Sequence, residues 1–562
     1  MEKLTRRSFI TGSAVVAGVT ALGLAGCGTS DAGQAQDQTS TQSEPDGNGT
    51  QTAPAQTDGT VDYRQFAIEP VNVADAGAPV KECDYLVIGA GNCGMMSAAA
   101  AGQLGLKVIV LEKANVTSGS SVGTEVTQAY NDCKILQECV NDPNVINVSQ
   151  ETGTYQEIYT YLMMHTSWQS NAELVSNFVK NNHCAHDLLY ANGGYPMMLL
   201  PSLDAPTNGI MYEGQGEGAH QIMEQTALAG GAEILLESPA TRLVVDDSGA
   251  VVGAMATIDG VEAYVAAKAT FVGTGGFSGN VDMGRAFIPW YDIAVKRDAH
   301  IPHDGDGIRM LFGIGAVPSD MQRAQPAACS VPGVAWDTAI DRAAREPYLW
   351  VGESGDRCGN EKWNVMDNMY GAAVREPNHF MFNIIDTAAA ERMQTEPLFT
   401  NARTVLGSND PDPAMIDELE KGVASGDVYK GETIEELAAA AGIDPARLVA
   451  TVEAYNAACD AGQDDVFWKP ADYLFPIKKA PFYAFKLVPS WYSTLNGVRI
   501  NGNTQVVDAA GLPIPGIYAG GLDSGEFYKY DYNHGFSGGC SGYSYFTGYF
   551  AAQQAKAYID SL

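Results

Sequence analysis

One segment near the N-terminus restricts the fold more than any other part of the chain. Residues 84–88 are an apolar run of strand length, and Gly89-Ala90-Gly91-Asn92-Cys93-Gly94 follows without a break. An Ala-rich, helix-like stretch over residues 95–104 leads to a second apolar run over residues 107–111. Strand, glycine-rich turn, helix and strand in this order predict a βαβ unit within an α/β fold.

The spacing of the glycines predicts what this unit binds. Gly89 permits the tight turn, Gly91 lets the backbone approach a pyrophosphate, and Gly94 lets helix and strand pack closely. The N-terminus of the helix would face the phosphate charge, and Glu112, directly after the second strand, can accept from a ribose hydroxyl. The unit is therefore predicted to bind a dinucleotide, although nicotinamide and flavin cofactors share this motif.

Further glycine-rich segments distinguish between these cofactors. They lie at residues 270–277, 303–307, 511–521 and 538–542, and a final Ala-rich helix follows the last one. In this order the segments resemble the superfamily of fumarate reductases, urocanate reductases and 3-ketosteroid dehydrogenases, over residues 80–562. The resemblance implies that FAD is the cofactor and that the C-terminal glycines line its isoalloxazine ring. It assigns FAD contacts to Gly89, Ala90, Gly91, Gly94, Glu112, Lys113, Ser120, Ser121, Thr274, Gly275, Asp306, Gly307, Asp523, Gly538 and Gly539.

The same resemblance implies the domain organisation, a Rossmann-like FAD-binding domain with an inserted α+β capping domain. Residues 349–361 are similar to the strand, turn, Arg and Asn-Glu signature of the family's capping domain. We place the FAD-binding domain at residues 80–327 and 487–562, and the capping, substrate-binding domain at residues 328–486. Closure of such a domain would exclude water from flavin and substrate.

The chain departs from the family at positions that bind fumarate. Val365 stands where fumarate-type members have the arginine that donates a proton, and Gln325 and Ser493 stand where they have substrate-binding histidines. No arginine follows Arg499, so the family's C-terminal carboxylate clamp has no counterpart. An arginine fork is the natural partner of a carboxylate, and its absence argues against fumarate as the substrate.

Residues 526–537 carry aromatic side chains beside the flavin-facing glycines. Such a loop would suit an uncharged or aromatic substrate bound through ring faces, with a polar tip for proton transfer, and ketosteroid-type relatives use tyrosines in a comparable place. These tyrosines could equally pack the seam between domains. The candidate proton donors, which the sequence does not rank, are Tyr532, His534, Tyr492 and Lys529.

The N-terminal residues predict export. Residues 1–27 place a twin arginine, Arg6-Arg7, ahead of a weakly apolar stretch that ends in Leu24-Ala25-Gly26-Cys27, similar to a lipoprotein cleavage site. We therefore expect a location outside the bacterial cytoplasmic membrane, with a lipid anchor at Cys27. We expect residues 28–79 to be a disordered tether and lead-in, because up to Thr60 the only apolar side chains are Ala and Pro.

Composition excludes other classes of protein. A net charge of -34 opposes nucleic-acid binding, which needs a basic face. Ten cysteines with no C-x-x-C spacing exclude the usual haem attachment and make a compact zinc site unfavourable, so no metal is predicted. Buried thiols are the ordinary interpretation. An iron-sulfur cluster built from dispersed cysteines, such as Cys93, Cys184, Cys329 and Cys540, stays open.

Together these features predict an exported reductase that uses FAD to reduce an activated C=C bond in a small organic acceptor, aromatic acid or enone-like rather than fumarate, in anaerobic respiration. Electrons would come from a membrane quinol oxidoreductase or a cytochrome, because no nicotinamide pool exists outside the membrane. Two alternatives remain at this point. One is a dehydrogenase of a ring ketone, and the other is a non-catalytic electron-transfer flavoprotein.

Overall fold

The computed structural model describes residues 61–130, 132–296, 303–363, 366–399, 409–529, 532–533 and 535–562. Several predictions fall outside these residues: the export signal, the tether up to residue 60, Val365 and His534.

The described strands are β1 (Val71–Asn72), β2 (Lys81–Ile88), β3 (Val108–Leu111), β4 (Thr127–Ala129), β5 (Ile146–Asn147), β6 (Pro196–Pro201), β7 (Asn208–Tyr212), β8 (Glu233–Leu235), β9 (Ala240–Val245), β10 (Val251–Ile258), β11 (Val261–Val272), β12 (Val295–Lys296), β13 (Ala324–Ser330), β14 (Leu349–Val351), β15 (Met381–Asp386), β16 (Tyr429–Gly431), β17 (Phe482–Thr494), β18 (Gln505–Val507) and β19 (Pro513–Ala519). The described helices are α1 (Asn92–Gln103), α2 (Lys134–Glu138), α3 (Tyr155–His165), α4 (Ala172–Ala191), α5 (Gln215–Ala229), α6 (Val281–Phe287), α7 (Asp306–Gly313), α8 (Ala339–Ala344), α9 (Met366–Arg375), α10 (Thr387–Thr395), α11 (Met415–Ser425), α12 (Ile434–Ala441), α13 (Pro445–Ala461) and α14 (Gly539–Ser561).

The predicted βαβ unit forms the centre of a nine-stranded sheet. Strands β19, β11, β2, β3 and β8 run parallel in that order, while β9, β10 and β11 form an antiparallel meander on one side. Helix α1 begins at Asn92, inside the glycine motif and three residues before the predicted start, because Gly91 already serves as its N-cap. The predicted α/β fold class is confirmed.

Small residues let α1 pack closely on its neighbours. Ala98, Ala99, Ala100 and Ala101 are fully buried, and α1 packs against both α5 and α14. A Cβ atom on Gly548 of α14 would lie only 2.3 Å from the carbonyl oxygen of Cys93. The Ala-rich composition therefore reflects a helix that is covered on every side.

A second sheet of six strands contains β12 to β17 and is organised around β17. This strand pairs with β15 and β16 through its first half and with β12 and β13 through its second half. The sheet takes strands from both sides of the predicted boundaries at residues 328 and 486, which stay predictions. A third sheet, of four strands, contains β4 to β7.

The buried side chains form separate apolar clusters for the two larger sheets. Those around the nine-stranded sheet include residues of α1, α4 and α14, and those around the second sheet include residues of α8 to α13. No helix within the described ranges is both long enough and apolar enough to cross a bilayer.

Candidate functional site

Three parallel strands end side by side at one edge of the nine-stranded sheet. Ile88 of β2 is in register with Val272 of β11, which is in register with Ala519 of β19. A glycine follows each strand: Gly89, Gly273 and Gly520. Ligands of open α/β sheets bind beyond the carboxyl ends of the strands, so the topology itself brings these three turns to one site.

The motif glycines have two different reasons to be glycine. A Cβ atom on Gly94 would lie 1.9 Å from the carbonyl oxygen of Gly89, and one on Gly89 would lie 2.5 Å from that of Gly273. These two positions are fixed by contacts within the protein. A Cβ atom on Gly91 would meet nothing closer than the Ser118 carbonyl oxygen at 3.6 Å. The protein itself therefore leaves room at Gly91, as a closely approaching pyrophosphate requires.

A cavity opens in front of these turns, and its space measures about 860 Å³ when the open solvent at its mouth is included. Many of the residues assigned to FAD line this cavity: Gly89, Gly91, Glu112, Lys113, Ser120, Thr274, Gly275 and Asp306. Six other assigned residues do not belong to its lining: Ala90, Gly94, Gly307, Asp523, Gly538 and Gly539. The side chain of Ser121 lies outside the described part of the structure.

The lining also contains residues that sequence reasoning did not assign to the cofactor. They include Asn92, Cys93, Ser118, Gly119, His303, Gly520, Gly521, Leu522 and Ser544. Asn92 and Cys93 occupy the variable positions of the glycine motif, so the motif itself was a usable signal. Ser544 lies inside α14, where only the packing of that helix on α1 brings it to the cavity.

Glu112 is held in place from two sides. Its Oε2 accepts from the Ala90 amide and its Oε1 accepts from the Ala114 amide, both at 2.8 Å, and its side chain is buried. Each carboxylate oxygen has a second lone pair for a ligand hydroxyl. In the described structure no side chain caps the N-terminus of α1. The amide groups of its first turn can therefore face a phosphate. This donor and acceptor set fits a ribose hydroxyl and the pyrophosphate of a dinucleotide.

Lys113 connects the βαβ unit to the start of α7. Its Nζ donates to Asp304 at 2.7 Å and to Asp306 at 3.1 Å. Burial acts to lower the pKa of Lys113, but the bond to Asp304 and the charge of Asp306 outweigh it, and the pKa is raised. Lys113 therefore stays protonated and fixes both carboxylates at the cavity rim.

His303 connects two loops of the cavity wall. Its Nδ1 lies 3.3 Å from the Thr274 carbonyl oxygen, and its Nε2 lies 2.5 Å from the Ser120 hydroxyl. A carbonyl only accepts, so Nδ1 donates, and in neutral imidazole Nε2 then accepts from Ser120. A Cβ atom on Gly275 would lie 2.5 Å from Nδ1, so this glycine makes room for the imidazole ring.

Asp523 binds a neighbouring loop of the protein. Its fully buried carboxylate accepts from the Thr274 amide, from the Thr274 hydroxyl at 2.8 Å and from the Gly276 amide at 2.9 Å. Burial raises the pKa of Asp523 despite these hydrogen bonds. The residue joins the turn after β11 to the segment after β19, and its predicted contact with the flavin stays a prediction.

The glycines at the starts of α7 and α14 make room for neighbouring chain segments. A Cβ atom on Gly307 would lie 2.5 Å from the Thr274 hydroxyl, one on Gly538 would lie 2.6 Å from the Val126 carbonyl oxygen, and one on Gly539 would lie 2.6 Å from the Phe536 ring. These contacts account for the glycines by packing. Their predicted contacts with FAD also stay predictions.

The candidate proton donors that the structure describes have different hydrogen-bonding surroundings. Tyr532 is buried, and its hydroxyl accepts from the Cys540 amide at 3.2 Å in the first turn of α14. Lys529 instead bonds to Glu526 at 2.9 Å and lies 3.3 Å from Asp320, in a network of its own. Tyr492 is half-buried on β17. His534 lies outside the described residues.

The two positions that replace family histidines are paired with each other. Gln325 and Ser493 are opposite each other in β13 and β17, and the Ser493 hydroxyl donates to the Gln325 Oε1 at 3.2 Å. Both groups are neutral. The pair therefore keeps the two strands together and offers uncharged hydrogen-bonding groups.

The Arg and Asn-Glu signature forms a buried ion cluster. Arg357 donates to both oxygens of Glu361, at 2.8 and 2.7 Å, and lies 2.8 Å from Asp464. Buried Lys469 lies 3.2 Å from Glu361 and donates to the Tyr348 carbonyl oxygen at 2.7 Å. The signature residues thus connect β14 to the segment after α13, and their role here is to stabilise the fold.

The cysteines of the described residues are free thiols, and most are buried. Burial raises the pKa of the Cys93 thiol, which lines the cavity, to about 12. Within the same part of the chain, His, Cys, Asp and Glu side chains do not gather in groups of three or more that could hold a metal ion.

Comparisons with known proteins agree with this geometry. The sequence profile of the family described as "FAD binding domain" matches residues 84–129 and 144–538. The vinyl phenol reductase of Lactiplantibacillus plantarum is 26% identical over 491 residues, covering 84% of this chain and 96% of that protein. The urocanate reductase of Eggerthella lenta is 27% identical over 471 residues, covering 79% of this chain and 70% of that protein.

Among solved structures, the 3-ketosteroid-Δ4-(5α)-dehydrogenase of Rhodococcus jostii superimposes with a TM-score of 0.67 at 21% identity, covering 87% of this chain and 99% of that one. This likeness concerns the fold. The chain belongs to the FAD binding domain family, and it is an FAD-dependent oxidoreductase that acts on CH–CH or C=C bonds.

Proposed function

We propose that the chain is an exported reductase that adds two hydrogens to the activated C=C bond of an uncharged aromatic or enone-like acceptor. The observation that carries this proposal is the aromatic C-terminal loop beside the first turn of α14. Phe527 stacks on Tyr543 at 4.6 Å, and Tyr528 lies 5.4 Å from Tyr532. Ring faces of this kind suit a flat, apolar acceptor.

The cofactor cavity supports a defined role for each contact. In this proposal Glu112 accepts from the ribose hydroxyls, the amides at the start of α1 face the pyrophosphate, and Ser120 and Asp306 bind along the cavity wall. Bound FAD supplies hydride transfer to one carbon of the double bond. The protein then has to orient the acceptor, exclude water and deliver a proton to the neighbouring carbon.

The charges near the aromatic loop favour an uncharged acceptor. Lys529 forms ion pairs with Glu526 and Asp320, and Arg499 lies 3.5 Å from the same Glu526. Both cations thus have carboxylate partners before any substrate binds. A substrate carboxylate would have to compete with them, and it would lose the bidentate arginine that its recognition usually needs. A phenol or an enone carries no such requirement.

Tyr532 is the proton donor that we favour. Its hydroxyl lies at the first turn of α14, among the rings that would hold the acceptor. A phenol hydroxyl donates its proton as the neighbouring carbon accepts hydride, and water can restore the proton afterwards. Lys529 is less suitable because it is held between two carboxylates. Tyr492 and His534 remain predicted candidates.

Export and the electron source complete the proposal. Arg6-Arg7 and Cys27 support translocation and lipid anchoring, and a folded, FAD-loaded chain can use the twin-arginine route. A membrane quinol oxidoreductase or a cytochrome would then reduce the flavin. Rapid bleaching of the flavin by NADH alone would contradict this part of the proposal, and accumulation of palmitate label on wild-type protein but not on Cys27→Ala would support the anchor.

The reverse reaction, dehydrogenation of a ring ketone, is the second candidate. A tyrosine-rich, uncharged loop suits a flat cyclic ketone as well as an aromatic alkene. The flavin potential decides the direction. Reduction of the flavin by a saturated ketosteroid, with no reoxidation by any alkene, would establish the dehydrogenase instead.

The first experiment is anaerobic. The purified holoprotein is reduced with dithionite, and flavin absorbance is followed after addition of 4-vinylphenol, urocanate, fumarate or 4-androstene-3,17-dione. Fast reoxidation by 4-vinylphenol or the enone, but not by fumarate, is the expected result. Reoxidation by fumarate would refute the assignment of an uncharged acceptor, and no reoxidation by any alkene would refute the reductase.

A further inference from the structure

The segment of residues 118–120 lies opposite the first turn of α1, across the space in front of Gly91. A Cβ atom on Gly91, the N-cap of α1, would lie 3.6 Å from the Ser118 carbonyl oxygen and 3.8 Å from the Gly119 Cα. Ser120 follows directly and also lines the cavity. The pyrophosphate of FAD, which belongs at the start of this helix, would therefore lie beside the Ser120 hydroxyl.

The described residues that line the cavity offer little positive charge to a pyrophosphate. Lys113 is the only lysine or arginine among them, while Glu112 and Asp306 are carboxylates. Lys113 is already bound to Asp304 and Asp306. A pyrophosphate carries two negative charges, and a helix N-terminus, equivalent to roughly half a positive charge, does not balance them. His303 is the remaining side chain in this lining that can become positive.

The hydrogen bond between His303 and Ser120 decides what the serine can offer to a ligand. Nδ1 of His303 donates to the Thr274 carbonyl oxygen, so a neutral imidazole uses Nε2 to accept the Ser120 proton. The hydroxyl then presents only lone pairs to the cavity, and these repel phosphate oxygens. In a protonated imidazole Nε2 donates instead, which frees the Ser120 proton for a ligand. One proton on His303 thus supplies both a positive charge and a new hydrogen-bond donor.

We propose that His303 takes up a proton when FAD binds, and that Ser120 then donates its own proton to the pyrophosphate. The proton comes from solvent, the one new covalent bond is the N–H at Nε2, and nothing is oxidised or reduced. His303 is therefore a binding residue for the cofactor and not a group of the reaction. The identity of the acceptor does not enter, because FAD binding alone moves the proton.

Other charged groups face His303 from its own loop and from neighbouring segments. Asp304 and Asp306 follow it on the same loop, and Lys113, just after β3, forms ion pairs with both. From the segment after β19, the buried Asp523 carboxylate interacts with the charge of His303. Burial raises the pKa of Asp523, whereas its hydrogen bonds and the neighbouring His303 act in the opposite direction. Because Asp523 is a second group that can titrate here, substitutions must identify which side chain takes up the proton.

Isothermal titration calorimetry measures this proton directly. Flavin-free full-length protein is titrated with FAD near neutral pH in two buffers of different ionisation enthalpy, and the difference in heat gives the number of protons taken up per FAD. His303→Gln retains an amide that can donate to Thr274 and a carbonyl that can accept from Ser120, but it cannot become positive. His220→Gln is the matched control. His220 also lies at the first turn of α1, but its Nδ1 bonds to Asn92 at 2.7 Å, and burial lowers its pKa.

We expect wild type and His220→Gln to take up about half a proton or more per FAD, and His303→Gln to take up almost none. The dissociation constant of wild type should rise at least about tenfold between about pH 6.5 and 8.5, because the bound state holds the extra proton and affinity falls as that proton is lost; that of His303→Gln should change less than about twofold. No uptake by wild type would overturn the proposal. Equal uptake by His303→Gln would also overturn it, because the proton would then belong to another group such as Asp523.

Ser120→Ala provides a second test that leaves the imidazole in place. Without the hydroxyl, a proton on Nε2 of His303 has no partner through which to reach the pyrophosphate, so the uptake should fall by at least about half. Unchanged uptake in Ser120→Ala would refute the part assigned to the serine.

Discussion

Gly91→Ala tests whether glycine at this position is required for FAD binding rather than for the stability of the fold. The new methyl group would lie 3.6 Å from the Ser118 carbonyl oxygen and 3.8 Å from the Gly119 Cα, which is ordinary van der Waals contact. The backbone at Gly91, with φ of -75° and ψ of 178°, is accessible to alanine. We therefore expect the flavin-free protein to keep its free energy of unfolding within about 1 kcal/mol, since a small gain in chain entropy and a small N-cap loss offset each other.

The same methyl group points into the space in front of the turn. Overpacking of this kind costs about 1–3 kcal/mol, so FAD should bind about 5- to 150-fold more weakly. The assay is titration of flavin-free protein with FAD, followed by quenching of flavin fluorescence, together with the melting temperature of the flavin-free protein. Wild-type affinity in Gly91→Ala would refute our placement of the pyrophosphate.

Gly94→Ala is the matched control for that experiment. Its methyl group would lie 1.9 Å from the Gly89 carbonyl oxygen, so the backbone of the turn must shift. We expect this variant to lower the melting temperature even without FAD. If both alanine variants affected stability and affinity alike, the distinction between the two glycines would be wrong.

Three further predictions concern other parts of the molecule. Tyr532→Phe should slow alkene-dependent flavin reoxidation by about 10²- to 10⁴-fold and leave reduction by dithionite unchanged; an unchanged reoxidation rate would exclude Tyr532 as the donor. Burial lowers the pKa of His186 to about 4, and its imidazole bonds to the Tyr212 hydroxyl and the Gln128 carbonyl. The unfolded chain therefore takes up the proton first as pH falls, and about 3 kcal/mol of stability should be lost between pH 6.5 and 4; His186→Gln should flatten this part of the urea-unfolding profile. Arg357→Ala should destabilise by about 3–5 kcal/mol in urea, because it leaves fully buried Glu361 without its bidentate partner, and a loss below 1 kcal/mol would contradict that role.

Local patterns in the sequence were sufficient for the centre of the fold. The run from residue 84 to Glu112 contains its strands, turn and helix within a short segment, so propensity and spacing predict them without knowledge of the rest. Parallel pairing then brings Gly273 and Gly520 beside Gly89, which explains why the distant glycine segments could be assigned to one site.

Contacts between side chains that are far apart in the sequence could not be predicted from local patterns. Ser120 and His303 are 183 positions apart, and Asp523 lies 249 positions from Thr274. Whether Asp523 faces the cofactor or a loop depends on rotations of a single side chain, which no sequence pattern records. The same holds for the pairing of Lys529 with Asp320, which lies far from it in the sequence.

Strand β17 has a mechanical consequence. Its thirteen residues extend about 40 Å, and they are hydrogen-bonded to the outer strands β15 and β16 at one end and to β13 at the other. At its inner end the Thr494 hydroxyl accepts from the Phe277 amide, next to the cofactor loops. A strand that is hydrogen-bonded on both sides resists bending. A tilt of helices α8 to α13, which surround the second sheet, would therefore be transmitted along the whole strand. Movement of helices α8 to α13 would therefore displace Ser493 and Tyr492 together with the far end of the strand.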